Sequence, residues 1–83
     1  MKELLEFIVK GIVAKSEGVF VGEEKDDSGI ILKLKVDDAD FGSVIGRNGR
    51  MVRSIRDLLR IKAQRESIKY NFLIEEPKPE IHS

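Results

Sequence analysis

Residues 44–52 read VIGRNGRMV, and this stretch decides the fold. Two glycines, Gly46 and Gly49, stand three positions apart, and Arg47 and Asn48 lie between them. Glycine has no Cβ atom, so it can adopt a positive φ and let a second backbone approach closely. Because an amphipathic run follows directly, the stretch predicts a tight cationic turn at the N-terminus of a helix. Free backbone N–H groups and a basic side chain attract anions there, and a polyphosphate backbone suits such a site.

Helical segments are predicted on both sides of this loop. Residues 40–45 predict one or two helical turns, and residues 51–65 predict a long helix. The unit is therefore a helix, a Gly-Arg-Asn-Gly loop and a second helix. A helix-loop-helix without a ligand also needs a permissive corner, so the glycine spacing is weak evidence for binding when it is taken alone.

The long helix is predicted to have one broad apolar stripe, because its hydrophobic residues recur at helical spacing. The members of this stripe are Met51, Val52, Ile55, Leu58, Leu59 and Ala63. Arg53, Arg56 and Arg60 cluster on an edge beside the stripe. Arg50 falls nearer the opposite flank and is expected to point to solvent. Ile61 also lies off the stripe. Two interpretations are open: an apolar residue tolerated at the surface, or a contact with another subunit.

Charge is strongly segregated along the chain, although the net charge is zero. Residues 41–65 hold seven basic residues and one aspartate, a local net charge of +6, which leaves −6 for the remainder. Six of the seven are arginine, the side chain suited to bidentate phosphate contact and base stacking. Most charge runs are simply solvated helix faces. Because this one adjoins the glycine loop, we interpret it as a contact for nucleic acid.

The N-terminal half predicts a helix followed by a β-hairpin. Residues 2–14 carry apolar side chains at helical spacing and mixed charges on the other face, which predicts an amphipathic helix packed on the core. Residues 19–24 are rich in β-forming side chains, and a polar turn over residues 25–29 follows. Residues 30–36 then alternate, which predicts a strand with one buried face. The residues predicted on that face are Ile30, Leu32, Leu34 and Val36.

The acidic run at residues 37–40, DDAD, precedes the short helix. Three carboxylates in four residues suit a hard cation, but the run lacks the ligand spacing, the glycine and the final glutamate of an EF-hand loop. Helix N-capping is the interpretation we favour, since acidic side chains stabilise the positive end of a helix.

The C-terminal part predicts one more strand and then a tail. Residues 69–75 read as the third strand, and Pro77 and Pro79 stop further regular pairing. We therefore expect a single domain over residues 1–76 and a short tail over residues 77–83.

The composition predicts one small folded domain. The chain has 83 residues, no cysteine and 41% hydrophobic residues, which suffices for one core without disulfides. No apolar run approaches the roughly 20 residues that cross a bilayer, and no signal peptide is recognisable. We therefore expect a cytoplasmic protein with no membrane partner.

Catalysis is not expected from this sequence. The chain lacks a GXGXXG pattern, the Gly-Lys-Ser/Thr of a P-loop, and any Ser-His-Asp or Cys-His set that would activate a nucleophile. His82 is the single histidine, and no second imidazole or thiol accompanies it, so neither a metal nor another cofactor is expected. The competing interpretation is a protein-interaction module that docks a partner through the same loop-helix surface.

The predicted element order resembles the type II KH arrangement, and the likeness is closest over residues 42–50, GSVIGRNGR. The chain is similar to the small stand-alone bacterial KH proteins of the KhpA family. This resemblance implies an α+β fold in the order α-β-β-α-α-β, with a three-stranded sheet packed against three helices. It also implies an RNA-binding regulator or RNA chaperone that holds single-stranded RNA in a groove between the GXXG loop and the sheet edge. Homodimers, or heterodimers with a larger KH-domain partner, are part of the same expectation.

The resemblance also assigns roles to individual residues. The implied phosphate clamp consists of Gly46, Arg47, Asn48 and Gly49. The implied apolar floor for bases consists of Val44, Ile45, Val52 and Ile55. Arg50 and Arg53 complete the predicted RNA-binding set. Ordinary core between helices is the alternative role for all four apolar residues, and some of them are expected to serve that role alone. For Ile45 and Ile55 the two interpretations are about even.

Overall fold

The computed structural model describes residues 1–77. These residues form three α-helices and three strands in the order α-β-β-α-α-β, which confirms the predicted α+β fold. The helices are α1 (Lys2–Lys10), α2 (Asp38–Ile45) and α3 (Arg50–Arg65). The strands are β1 (Phe20–Asp26), β2 (Gly29–Lys35) and β3 (Tyr70–Ile74). Most of the predicted tail, including Pro79 and His82, lies outside the described residues.

The strands form one mixed sheet with β2 at its centre. β1 pairs with β2 in the antiparallel sense, and β3 pairs with β2 in the parallel sense. The predicted alternation in β2 is confirmed, since its alternate apolar residues and Val36 are buried while Lys33 and Lys35 are exposed. A pleated strand with one face on a core requires this pattern.

The core lies between one face of the sheet and the three helices. The largest side chains that are fully buried there are Phe72, Leu5, Leu32, Leu34, Ile55, Leu59, Val9 and Val44. Each helix therefore contributes to one shared core, and the loop between α2 and α3 joins two helices that each bury one face in that core. None of the helices within residues 1–77 is long and apolar enough to cross a membrane.

The first helix is shorter than predicted, because it ends at Lys10 instead of near Ala14. The backbone N–H groups of Ala14 and Lys15 donate to the two carboxylate oxygens of Asp40, at 3.0 and 2.9 Å. These N–H groups therefore have partners outside a helix, and the chain turns after Gly11. The apolar residues that follow still pack against the core, so the hydrophobic pattern is satisfied without a longer helix.

Smaller differences concern the hairpin and the long helix. β1 extends to Asp26 and the turn contains only two residues, because the Asp26 carboxylate accepts the Ser28 N–H at 2.7 Å.

On α3, the flank residues Met51 and Leu58 are exposed, although the pattern placed them on the buried stripe. They lie about 80–100° around the helix from Leu59, at the centre of the buried face. The predicted apolar stripe was therefore too wide.

Candidate nucleic-acid interface

The Gly46 backbone forms the corner at which α2 ends. Its φ of 77° and ψ of 171° belong to a region that essentially only glycine occupies. Its N–H donates to the Gly42 carbonyl at 2.8 Å, which completes α2. A Cβ atom at this position would lie 2.7 Å from the backbone nitrogen of Met51. Gly46 is therefore required both by its backbone conformation and by the close approach of the first turn of α3.

The rest of the loop is a short 3-10 turn, Arg47–Gly49, whose last two residues have left-handed conformations. Asn48 has φ 56° and ψ 27°, and Gly49 has φ 73° and ψ 16°. Asparagine tolerates this region better than most residues that carry a side chain. The Gly49 N–H donates to the Gly46 carbonyl at 3.2 Å. A Cβ on Gly49 would lie 3.9 Å from its nearest neighbour. Glycine is therefore favoured at this position by the left-handed φ angle and not by a close contact.

The N-terminus of α3 is not capped by a side chain. Its N-cap residue is Gly49, which has no side chain to accept the first N–H groups of a 16-residue helix. The Arg50 N–H donates to the Arg47 carbonyl, and the N–H groups that follow it in the first turn have no i−4 partner within α3 and lie at the positive end of the helix dipole. The first turn of α3, which directly follows the glycine loop, is therefore a candidate position for an anion.

The arginines nearest the loop divide into two kinds. Arg53 turns back and donates from Nε to the Gly49 carbonyl at 3.3 Å and from Nη2 to the Asn48 carbonyl at 2.7 Å. Arg47 and Arg50 are exposed, and within residues 1–77 their side chains make no hydrogen bond or ion pair. Two cations beside the loop are therefore available to a ligand, and a third is occupied with the loop itself.

The other two arginines of the predicted edge have structural partners. The Arg56 guanidinium donates to the Phe72 carbonyl at 3.1 Å and lies 4.9 Å from the centroid of the Phe72 ring. The Tyr70 hydroxyl donates to the Arg56 carbonyl at 3.0 Å, which adds a second contact between β3 and α3. Arg60 forms an exposed ion pair with Asp57 at 3.3 Å. Arg56 thereby fastens α3 to β3, and the predicted edge is not one uniform cationic surface.

Comparison with known protein families identifies the family of this chain. A sequence model described as the KhpA/KhpB KH domain matches residues 2–74, which include both glycines and all six elements. The chain belongs to the KhpA/KhpB KH-domain family. This confirms the family that the sequence predicted.

Relatives in this family match over most of their length. The RNA-binding protein KhpA of Clostridium perfringens is 45% identical over 69 residues, which make up 83% of this chain and 92% of that protein. The RNA-binding protein KhpA of Chlamydia trachomatis is 40% identical over 78 residues, 94% of this chain and all of that protein. The RNA-binding protein KhpA of Borreliella burgdorferi is 46% identical over 57 residues, 69% of this chain and 70% of that protein. No solved structure matches the chain.

The apolar floor predicted for this KhpA/KhpB domain separates into two pairs. Val44 is 0% exposed and Ile55 is 1% exposed, so both are enclosed in the core. Ile45 and Val52 are half-buried on either side of the loop. Only the second pair presents surface to a ligand in this conformation. The core role accounts for Val44 and Ile55, which support the two helices from beneath.

Asp40 is the site-supporting residue that the sequence analysis missed. It is 5% exposed and accepts two backbone N–H groups from the segment between α1 and β1, 25 and 26 residues earlier in the chain. The predicted capping role belongs to Asp37, whose carboxylate accepts the Ala39 N–H at 2.9 Å. A signal was present, because Asp40 stands four residues before Val44 and thus shares its buried face. Asp40 fixes the start of the helix that ends in the glycine loop.

Proposed function

We propose that this KhpA/KhpB-family chain binds short single-stranded RNA and holds its backbone at the loop of residues 46–49. One observation carries the proposal: the uncapped N-terminus of α3 lies behind two positive-φ glycines, with the uncommitted Arg47 and Arg50 beside it. The relatives' names support RNA as the source of the anion, since each is an RNA-binding protein.

The proposed contacts divide between phosphates and bases. Arg47, Asn48 and the α3 N-terminus would bind phosphate, while Ile45 and Val52 would contact bases beside the loop. Backbone contacts carry no sequence information, so we expect low sequence specificity. The net charge of −6 outside residues 41–65 weakens non-specific attraction, so we expect modest affinity that falls as salt rises.

The direct test replaces the middle of the loop with two aspartates. Arg47→Asp with Asn48→Asp lowers the charge by three units at exposed positions, and aspartate tolerates the left-handed conformation of residue 48. We expect RNA affinity to fall by at least about tenfold, because two carboxylates would oppose the phosphates. Fluorescence anisotropy with a labelled ten-nucleotide single-stranded RNA, over a salt series, measures this.

The hairpin provides the matched control. Lys25→Asp with Ser28→Asp makes the same change of three charge units at exposed positions outside the loop-helix unit. This control should retain most of the affinity and a wild-type circular dichroism spectrum. Equal loss in both variants would indicate a general charge effect, and unchanged affinity in the loop variant would remove the loop from the site.

We further propose that this domain pairs with a second KH domain, in a homodimer or with a larger partner. Leu58 and Ile61 support this, since they are 48% and 53% exposed on α3. Two joined grooves would raise avidity when one RNA reaches both. Light scattering of wild type and of Leu58→Glu with Ile61→Glu tests it, and a strictly monomeric wild type would refute self-association.

The wider role that we propose is a post-transcriptional regulator or RNA chaperone in the cytoplasm, formed by one domain over residues 1–76. The competing role is a protein-interaction module that uses the same loop-helix surface. The exposed apolar residues Leu58 and Ile61 also suit that alternative. The RNA titration separates the two roles, because a protein-docking module has no reason to bind the RNA probe with a phosphate-dependent salt slope.

A further inference from the structure

We propose that Arg53 is a positioning residue, whose guanidinium holds the glycine loop in its phosphate-binding conformation and is not chiefly a phosphate contact. The inference rests on the proposed function of the loop, which it deepens by assigning the residue that keeps the loop in shape. It also revises the role predicted from the sequence, in which Arg53 was one of several RNA contacts.

The contacts of Arg53 are directed into the protein. It stands in the first turn of α3, yet its side chain runs back against the helix direction to the loop. Nε donates to the carbonyl of Gly49 at 3.3 Å and Nη2 donates to the carbonyl of Asn48 at 2.7 Å. The guanidinium therefore bridges the two consecutive residues that have left-handed conformations.

The loop needs such a bridge because few other contacts hold it. Between Gly46 and α3, the backbone bonds that close the 3-10 turn are those from the Gly49 N–H to the Gly46 carbonyl and from the Arg50 N–H to the Arg47 carbonyl. A left-handed residue with a side chain, such as Asn48, persists only where its surroundings stabilise it. Two charge-assisted hydrogen bonds to its carbonyl and the next one supply that stabilisation.

The bridge also improves the electrostatics of the anion site. The carbonyl oxygens of Asn48 and Gly49 carry partial negative charge and would repel a phosphate bound at the loop. The guanidinium places a positive charge directly on both oxygens. The α3 N-terminus and the uncommitted Arg47 then act on the phosphate without this opposition.

Lysine cannot replace arginine in this role. Arginine presents Nε and Nη2 in a rigid planar fork that can reach two acceptors at once, whereas lysine is a point charge on one nitrogen. Arg53→Lys therefore retains the charge and loses the bridge. A simple phosphate contact would largely survive this substitution, and a positioning role would not.

The experiment compares Arg53→Lys and Arg53→Ala with the control Arg60→Lys. Arg60 lies on the same helix in an exposed ion pair, so its replacement by lysine changes side-chain shape without touching the loop. We expect Arg53→Lys to lose about tenfold in affinity for the labelled ten-nucleotide RNA, close to the loss in Arg53→Ala, while Arg60→Lys stays within about twofold. The salt slope of Arg53→Lys should remain near that of wild type, because the number of cations is unchanged.

A second measurement uses the free protein. Hydrogen exchange of the Gly49 and Arg50 amides should accelerate several-fold in Arg53→Lys and remain unchanged in Arg60→Lys. Unchanged exchange together with wild-type affinity in Arg53→Lys would overturn the positioning role. If the wild type bound no RNA, the proposed function would fail by itself, and the exchange measurement would still decide whether Arg53 holds the loop.

Discussion

The N-termini of α2 and α3 have the same helix dipole, but different groups lie beside them. At α2, Asp37 accepts the Ala39 N–H, and the Lys15 ammonium lies 3.9 Å from the same carboxylate. Asp38 and Asp40 add two further acidic groups in the first turn. At α3, the N-cap is a glycine, and the first turn carries no acidic residue.

This difference distinguishes the capped terminus of α2 from the terminus of α3 that we propose as the ligand site. A helix dipole attracts any anion, and at α2 the protein's own carboxylates occupy that position. At α3 the position is left open, and Gly46 and Arg53 shape the backbone in front of it. For the site that we propose, the uncapped α3 N-terminus beside Arg47 and Arg50 is therefore a more specific indication than arginine content, since Arg56 and Arg60 have structural partners.

The largest expected effect on stability comes from adding a side chain to a glycine of the loop between α2 and α3. Gly46→Ala should destabilise the fold by about 3 kcal/mol, because it adds strain in a glycine-only region to a clash with Met51. Gly49→Ala should cost about 1 kcal/mol, because only the left-handed φ opposes it. Urea unfolding measures both. Equal costs would show that the two glycines are not used differently.

Next is the buried carboxylate that anchors α2. Asp40→Asn replaces one of two accepting oxygens with an NH₂ group that faces a backbone N–H, so we expect a loss of about 1–3 kcal/mol. RNA affinity should change little at temperatures where the variant is folded. Asp38→Asn, at an exposed position, is the control and should stay within about 0.5 kcal/mol of wild type. A milder effect at Asp40 than at Asp38 would contradict the anchoring role.

The N-cap of α2 should have a smaller effect. Asp37→Ala removes the acceptor for the Ala39 N–H and should cost about 1 kcal/mol. Asp37→Ser keeps a capping oxygen and removes the charge, so it should stay close to wild type in thermal unfolding. If Ser were as costly as Ala, then charge, and not the cap, would stabilise this terminus.

The smallest expected effect is a difference in phosphate binding between the two helix termini. Inorganic phosphate added to the wild type should shift the amide NMR signals of residues 47–51 and leave those of residues 38–40 nearly unchanged. The reason is that, of these two termini, only that of α3 combines a first turn without a side-chain cap with uncommitted cations. Shifts of similar size at both termini would remove the distinction on which the comparison depends.

Much of the site followed from the sequence because its constraints are local. Gly46 and Gly49 were correctly predicted to have positive φ, and the helix after them begins one residue earlier than expected, at Arg50. The division of the arginines could not be predicted, because Arg56 meets a strand 16 residues away and Arg53 folds back on the loop. Periodicity places a side chain on a helix flank, but it does not identify the partner that approaches that flank.

By itself, the sequence determined the order of elements, the buried face of β2, the glycine corner and the family. The first three depend on a repeat of two or 3.6 residues, or on a backbone angle that one residue type allows, whereas the family was indicated by the resemblance over residues 42–50. Only the tertiary structure decided where α1 ends, which carboxylate is buried and which arginines remain available to a ligand. These features require groups distant in the chain to meet, as the Asp40 carboxylate meets the backbone of Ala14 and Lys15. A buried hydrogen-bonding group is stabilised by the partner it finds in the fold, and that partner is not specified by its neighbours in sequence.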